Sequence, residues 1–296
     1  MISRSHHFNG FKSGYTGPIL VRVPFEEVST MSHIRPPAVA GRFYPARITE
    51  LRHQLDAFIP SIDVSKQPHP KVLIAPHAGY IYSGAVAGKA YAHLSGLRGQ
   101  ISRVVLLGPA HYVRLRGLAV PEADTFATPL GTVPVNQDAL QAIANLPQVI
   151  QSDIPHEPEH SLEVHLPFLQ RMLGDFSVVP LLVGDATYAE VAEVLERLWG
   201  GPETLIVIST DLSHYLDYAT ARRLDKRTAE VIEALQPEAI HYEQACGRIP
   251  LGGLLELARK RHMRIERLDL RNSGDTAGPR DQVVGYGAWA LYEDTA

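Results

Sequence analysis

Three apolar runs in this sequence are each followed closely by a histidine. Lys71–Gly84 reads KVLIAPHAGYIYSG, in which Val72–Ala75 stop at Pro76 and His77 comes next. Arg103–Tyr112, RVVLLGPAHY, repeats the pattern with Val104–Leu107, then Gly108 and Pro109, then His111. Thr204–Tyr215, TLIVISTDLSHY, leads from Leu205–Ile208 to Asp211 and His214. Imidazole is the commonest transition-metal ligand and the side chain that exchanges protons near neutral pH. One histidine beyond one strand is usually structural; three in the same place relative to their strands argue for a single metal or acid–base site. Cys246, the sole cysteine, offers a soft thiolate donor. Arg248 and a helix opening near Pro250 are expected to favour that thiolate, against the alternative of a buried, inert thiol. Asp211 and His214 lie three apart and read as a general acid/base pair. His160 and His165, in HSLEVHLPFLQRML, are five apart and lack the zincin spacing. One of them is expected to pack locally and the other, His160 by preference, to orient a ligand from behind. Ser209 or Ser213 could complete a hydrolase-like triad, but G-x-S-x-G is absent, as are G-x-G-x-x-G and the P-loop.

The elements that must position these residues alternate along the chain. Unbroken apolar runs bounded by turn residues predict strands buried on both faces at 72–75, 104–107, 118–120, 176–183 and 205–208. Helices are predicted at 49–58, from about Ser83 with Ser83 or Gly84 as cap, at 138–146, 160–173 with Pro167 kinking or restarting it, 188–199, 219–235, 237–244 and 251–262. Closing strands fall at 264–270 and 283–292, the second interrupted by Gly285 and Gly287. Asp124–Gly131 reads as a loop closing over the sheet edge, and Phe43 and Tyr44 as packing residues. Tyr80, Tyr82 and Tyr112 are candidates to line a pocket for an aromatic group. Alternation of this kind predicts an α/β fold, a single domain with a mainly parallel sheet and helices on both faces. Ligands of such sheets bind at the carboxyl edge of the strands, which is where the three motifs end.

With 296 residues, 45% hydrophobic and 20% charged, the chain is ordinary for a globular domain. A net charge of −4 gives no electrostatic reason to bind nucleic acid or an anionic membrane. No apolar run approaches the ~20 residues of a membrane helix. One cysteine excludes an intrachain disulfide and suits a cytoplasmic location. Residues 1–32 lack periodicity and a signal-peptide core and read as a poorly ordered leader, with Met31 an alternative start and an edge strand over Pro18–Val23 the competing reading. The domain then spans 33–296.

Five segments carry a family resemblance: IAPHAGYIYSG at Ile74–Gly84, LLGPAHY at Leu106–Tyr112, EPEHSLEVHLPFL at Glu157–Leu169, STDLSHY at Ser209–Tyr215 and ACGRIPLGGLL at Ala245–Leu255. In this order they resemble the Memo family, called protein B of the AmmeMemoRadiSam system in many prokaryotes. The resemblance implies a fold similar to class III extradiol dioxygenases, which hold non-haem iron. It also implies metal ligands at His77, His111 and Cys246, with the catalytic base at His214 and Asp211 beside it. His160 joins them as a candidate catalytic residue. A thiolate in place of a carboxylate shifts metal preference from Fe(II) toward Cu(I) or Zn, so Fe(II) or Cu is expected first and Zn as an alternative. The expected function is a metal-dependent, dioxygenase-like oxidoreductase acting on a small molecule or peptide. AMMECR-type and radical-SAM proteins are the partners implied. The competing readings are a non-catalytic protein binding a metal, a peptide or a phosphorylated group, and a metal-assisted hydrolase.

Overall fold

The structure is a computed structural model, and it describes residues 33–64 and 68–293. The leader and the alternative strand at Pro18–Val23 lie outside the described residues. The chain runs β1 (Ile34–Arg35), α1 (Ile48–Phe58), β2 (Val72–Ala75), α2 (Tyr80–Ala92), β3 (Arg103–Pro109), β4 (Leu118–Val120), β5 (Thr125–Thr128), β6 (Gly131–Pro134), α3 (Gln137–Ile143) and β7 (Val149–Gln151). It continues through α4 (Leu166–Leu173), β8 (Ser177–Val183), α5 (Tyr188–Leu198), β9 (Thr204–Ser209), β10 (His214–Leu216), α6 (Tyr218–Glu233), α7 (Arg248–Lys260), β11 (Arg264–Asn272) and β12 (Val283–Tyr292).

The main sheet has the order β10-β12-β2-β9-β3-β8-β4-β7, with β11 also paired to β12. Its centre is parallel: β2 with β9, β9 with β3, and β3 with β8. Its flanks are antiparallel, at β12 with β2, β11 and β10 and at β4 with β8. The sheet is therefore mixed rather than mainly parallel. The expectation fails because apolar runs report burial, not direction, and the last strand, β12, returns beside β2 without a helical crossover. Side chains 72–75, 104–107 and 205–208 are fully buried, as their unbroken hydrophobicity requires. Helices lie on both sides: α1, α2 and α4 pack together, and α5 packs on α7, which covers β9 and β3.

Several boundaries differ from the sequence expectation. Helix α2 starts at Tyr80, with Gly79 as its cap, because the Tyr80 amide donates to the Phe43 carbonyl (2.8 Å) and the turn closes early. Gly108 and Pro109 do not end β3 but pair with Leu182 and Val183; proline needs only its carbonyl here, which accepts from Ser161 Oγ (2.8 Å). A Cβ on Gly108 would meet Ser161 Oγ at 2.8 Å, so the glycine lets the His160 segment lie directly against the strand. Asp124–Gly131 is no loop: β5 and β6 form a hairpin that joins β1 in a separate three-stranded sheet. Pro167 restarts the chain as α4 after a short 3-10 turn at Glu163–His165. Residues 237–244 make two 3-10 turns rather than a helix, and α7 begins at Arg248, before Pro250. Strand β12 runs through Gly285 and Gly287 without a break. Among the described residues no helix is long and apolar enough to cross a membrane.

The loop before α1 is tied down from inside. Glu163, fully buried, accepts from the Arg35 guanidinium, the amides of Ala38 (2.7 Å) and Val39 (3.0 Å) and the Tyr44 hydroxyl (2.6 Å). Arg35 also donates to the carbonyls of His156 and Glu159. This clamp sets Phe43 against the His160 ring, with centroids 4.6 Å apart.

Candidate metal centre

Because β2, β9 and β3 are parallel neighbours, the residues just beyond them share one edge. His77 follows β2, His111 follows β3, and the segment after β9 crosses the end of β2, where the Thr210 amide donates to Ala75 O (3.0 Å). It then runs along β12, where the Leu212 amide donates to the Gly285 carbonyl (2.8 Å) and the Gly285 amide donates to the Ser213 carbonyl (2.8 Å). His160 reaches the same place from the loop packed on Gly108. The ligand atoms of His77, His111 and His160 all lie within 4.8 Å of one another. Ring centroids are 5.1 Å apart for His77–His111, 5.5 Å for His77–His160 and 4.8 Å for the stacked His111–His160 pair. Atoms sharing one ion through bonds of about 2.0–2.1 Å sit roughly 3–3.5 Å apart, so the cluster is near that spacing.

Glu159 backs two of these rings. Its Oε1 accepts His111 Nδ1 (2.9 Å) and lies 3.2 Å from His160 Nδ1, while the carboxylate also takes the amides of His111 (2.6 Å), His160 (2.9 Å) and Ser161 (3.0 Å). The His160 Nδ1 approach is close but poorly aligned, which leaves that buried nitrogen without a well-formed hydrogen bond. Burial pushes the Glu159 carboxyl up, but the bonds from His111 and His160 and the charge of His111 outweigh it, and the group is held far below the ordinary carboxylate range. A carboxylate behind the outer nitrogen of an imidazole is the usual support of a metal-bound histidine. The outer nitrogen of His77, Nδ1, rests 2.6 Å from Ser209 Oγ.

Cys246 meets the cluster through His77, with Sγ 3.3 Å from Nε2. Its loop lies against the Asp211 segment: Gly247 N donates to Thr210 Oγ1 (3.0 Å), Asp211 N approaches Sγ at 3.3 Å, and a Cβ on Gly247 would strike the Ser209 carbonyl at 2.5 Å. In the protein alone, the surroundings of Cys246 favour the buried thiol over the thiolate. Burial, and after it the charge of Asp211, pushes the thiol up to about 12, and the amide of Asp211 does not offset them. Arg248 and the start of α7 do not reverse that balance.

Asp211 is buried and accepts the His77 amide at Oδ1 (2.8 Å), with Oδ2 4.0 Å from His77 Nε2. Burial raises its carboxyl, with the charge of His214 pulling the other way. His214 is oriented not by Asp211 but by the Leu212 carbonyl, which accepts its Nδ1–H (2.8 Å) and leaves Nε2 as the acceptor facing the cleft. Burial and the neighbouring His111 and His160 charges depress His77 well below the usual histidine value. Ser209 is fully buried and committed to three partners, and Ser213 Oγ is buried with none, so neither presents a nucleophile.

The cluster sits where two clefts meet. One, about 570 Å³, is lined by Phe43, Tyr82, Tyr112, Tyr286 and the three clustered histidines. The other, about 680 Å³, holds Arg114, Tyr242, Cys246 and Arg248. His111, His214 and Tyr215 line both. Of the tyrosines named from sequence, Tyr82 and Tyr112 face the cleft, whereas Tyr80 is buried and donates to Val164 O (2.7 Å). Neither Glu159 nor Tyr286 is marked by the strand-to-histidine pattern; the Glu159–His160 dipeptide within EPEH is the one signal the sequence offers for the first.

Fold and site together define an α/β protein with a candidate metal cluster of three histidines at the carboxyl edge of its sheet. A sequence profile described as Memo-like protein matches residues 35–290, and the chain belongs to the Memo family. It is 36% identical over 270 residues to a MEMO1 family protein of Thermotoga petrophila, which covers 85% of this chain and 97% of the relative. MEMO1 family proteins of Aquifex aeolicus and Sulfolobus acidocaldarius are 35% and 34% identical, each over 86% of this chain and 97% of theirs. Among solved structures, an uncharacterized protein of Escherichia coli K12 is similar at 14% identity with a TM-score of 0.47, covering 74% of this chain and 98% of that one.

Proposed function

We propose that the cluster is a non-haem transition-metal centre of a dioxygenase-like oxidoreductase, with Fe(II) or Cu as the metal and Zn the alternative. The observation that carries this is the convergence of His77, His111 and His160 on one point, with a buried carboxylate behind two of the rings. His77 and His111 are the two ligands common to every version of this assignment. His160 is the third imidazole in the cluster, and Cys246 can join or replace it through its contact with His77. When bound, the metal would supply Lewis acidity and redox capacity to a substrate in the cleft. His214 takes or returns a proton at Nε2, Asp211 fixes the His77 backbone, and Tyr82, Tyr112 and Tyr286 exclude water around an aromatic or apolar group. A fold akin to the class III extradiol dioxygenases, a cytoplasmic location and work alongside AMMECR-type and radical-SAM partners belong to the same proposal.

Metal analysis of protein prepared without oxygen, beside His77→Ala, His111→Ala, His160→Ala and Cys246→Ser, tests it. The histidine variants are expected to lose metal, and the serine variant tells whether sulfur is a ligand; equal metal in all five proteins overturns the assignment. Oxygen uptake with catechols then separates an oxidoreductase from a binding protein. The second cleft favours the binding alternative, because Arg114 and Arg248 beside Tyr242 offer charge and stacking to a peptide or phosphorylated group.

A further inference from the structure

Ser209 Oγ stands at the centre of a buried polar chain. It lies 2.6 Å from His77 Nδ1, 2.9 Å from His165 Nε2 and 2.6 Å from the Ser161 carbonyl. Beyond His165, its Nδ1 lies 2.8 Å from the Tyr91 hydroxyl. Tyr91, His165, Ser209 and His77 are all buried, so no solvent completes the pattern.

A hydroxyl has one hydrogen to give and two lone pairs to receive with. Ser161 O can only accept, so the Ser209 hydrogen goes there. Both ring nitrogens must then be N–H groups donating into the two Ser209 lone pairs. His165, carrying its hydrogen on Nε2, accepts the Tyr91 O–H at Nδ1, and every buried donor and acceptor is matched. His77, carrying its hydrogen on Nδ1, is left with its lone pair on Nε2, the nitrogen beside Cys246 Sγ.

We propose that Tyr91, His165 and Ser209 form a positioning array that holds His77 in the Nδ1–H tautomer and so presents its Nε2 lone pair to the metal cluster. The array's relevance to a metal rests on the function proposed above; the tautomer does not. Ser209 is the decisive member because it supplies the acceptor. Without it, the His77 Nδ1–H would be buried and unpaired, and the hydrogen would move to Nε2, where Cys246 Sγ, 3.3 Å away, can receive it. His165 and Tyr91 act one step further back by filling the second lone pair, which keeps the Ser209 hydrogen on Ser161.

The test is long-range proton–nitrogen NMR of metal-free protein labelled with 15N-histidine, the His77 signals being assigned by their loss in His77→Gln. Wild type is expected to show His77 protonated at Nδ1, Ser209→Ala to show it protonated mainly at Nε2, and Ser209→Thr, which keeps a hydroxyl, to restore the wild-type pattern. Titration with Co(II) and Zn(II) is expected to give an affinity about 10–100-fold weaker for Ser209→Ala, recovered in Ser209→Thr. His77 protonated at Nε2 in wild type overturns the inference whether or not the variants fold, as does an unchanged tautomer in a folded Ser209→Ala. A wild-type protein that shows the Nδ1–H tautomer but takes up neither metal supports the array and refutes the metal reading alone.

Discussion

Replacing Glu159 by glutamine changes no volume but removes an acceptor that cannot be spared. Oε1 receives His111 Nδ1 and the amides of His160 and Ser161, and Oε2 receives the His111 amide. A glutamine can place its one oxygen on only one of these two sides. With the oxygen on the Oε1 side, its NH₂ faces the His111 amide; flipped, it faces three donors at once. One buried donor is therefore orphaned in the better orientation, and the remaining bonds lose their charge assistance. Bonds to a charged group contribute about 1.5–3 kcal/mol each, so Glu159→Gln is expected to destabilise the metal-free protein by about 2–4 kcal/mol. The imidazoles lose their anchor as well, and metal affinity is expected to fall about 10–100-fold, or about 1.4–2.7 kcal/mol. Thermal melts followed by circular dichroism measure the first effect, and competition with a chromophoric chelator for Zn(II) or Co(II) the second. A Glu159→Gln protein that melts with wild type and binds metal as tightly would refute the role of this carboxylate.

Three further outcomes follow from the buried groups. Glu163→Gln strands the Arg35 guanidinium in the core and is expected to cost about 3–5 kcal/mol, a Tm drop of roughly 6–20 °C; a calorimetric Tm within a degree or so of wild type contradicts the clamp. Gly88→Ala places a methyl 2.1 Å from the Phe58 carbonyl, so α1 and α2 must part at a cost of about 1–3 kcal/mol in denaturant melts; an unchanged midpoint argues against that contact. Burial holds His156 and His165 neutral, each near a pKa of about 3. Both folded values lie below the unfolded value of about 6.5, so the unfolded chain takes up protons the folded one refuses. Stability is accordingly intact above about pH 6.5 and declines as pH falls from there toward 3. His156→Gln should flatten that decline, and identical acid-unfolding curves would show that His156 does not contribute.

What was legible in the sequence was the placement of chemistry, and what was not was its orientation. The runs at 72–75, 104–107 and 205–208 identify buried strands because burial on both faces forbids polar side chains, and a polar residue just past such a run must lie at an edge. Nothing in those residues announces that β12 returns antiparallel, since strand direction is decided by partners far away in the chain. The β5–β6 hairpin is hidden for a related reason: DTFATPLG is rich in turn formers, and pairing with β1 and β6 makes its first half a strand. Cys246 shows the limit on electrostatics. Arg248 is two residues away in sequence, but the charge that acts on the sulfur is that of the buried Asp211, which arrives from another segment. Composition alone leaves Ser209 and Ser213 open as members of a triad, whereas the three partners that occupy Ser209 become apparent only in space.

The neighbours of β2 bear on how the molecule is made. The strand that ends beside His77 is hydrogen-bonded on one side to β9, with Ala75 opposite Ser209, and on the other to β12, with Leu73 opposite Ala290. Both neighbours are synthesised long after it, and such distant pairings are slow to close. As the chain leaves the ribosome, the first imidazole must therefore wait, unsupported, for nearly the last strand. Capture of an ion by the finished pocket would come after synthesis, and a nascent chain cut before β12 would be expected to hold none.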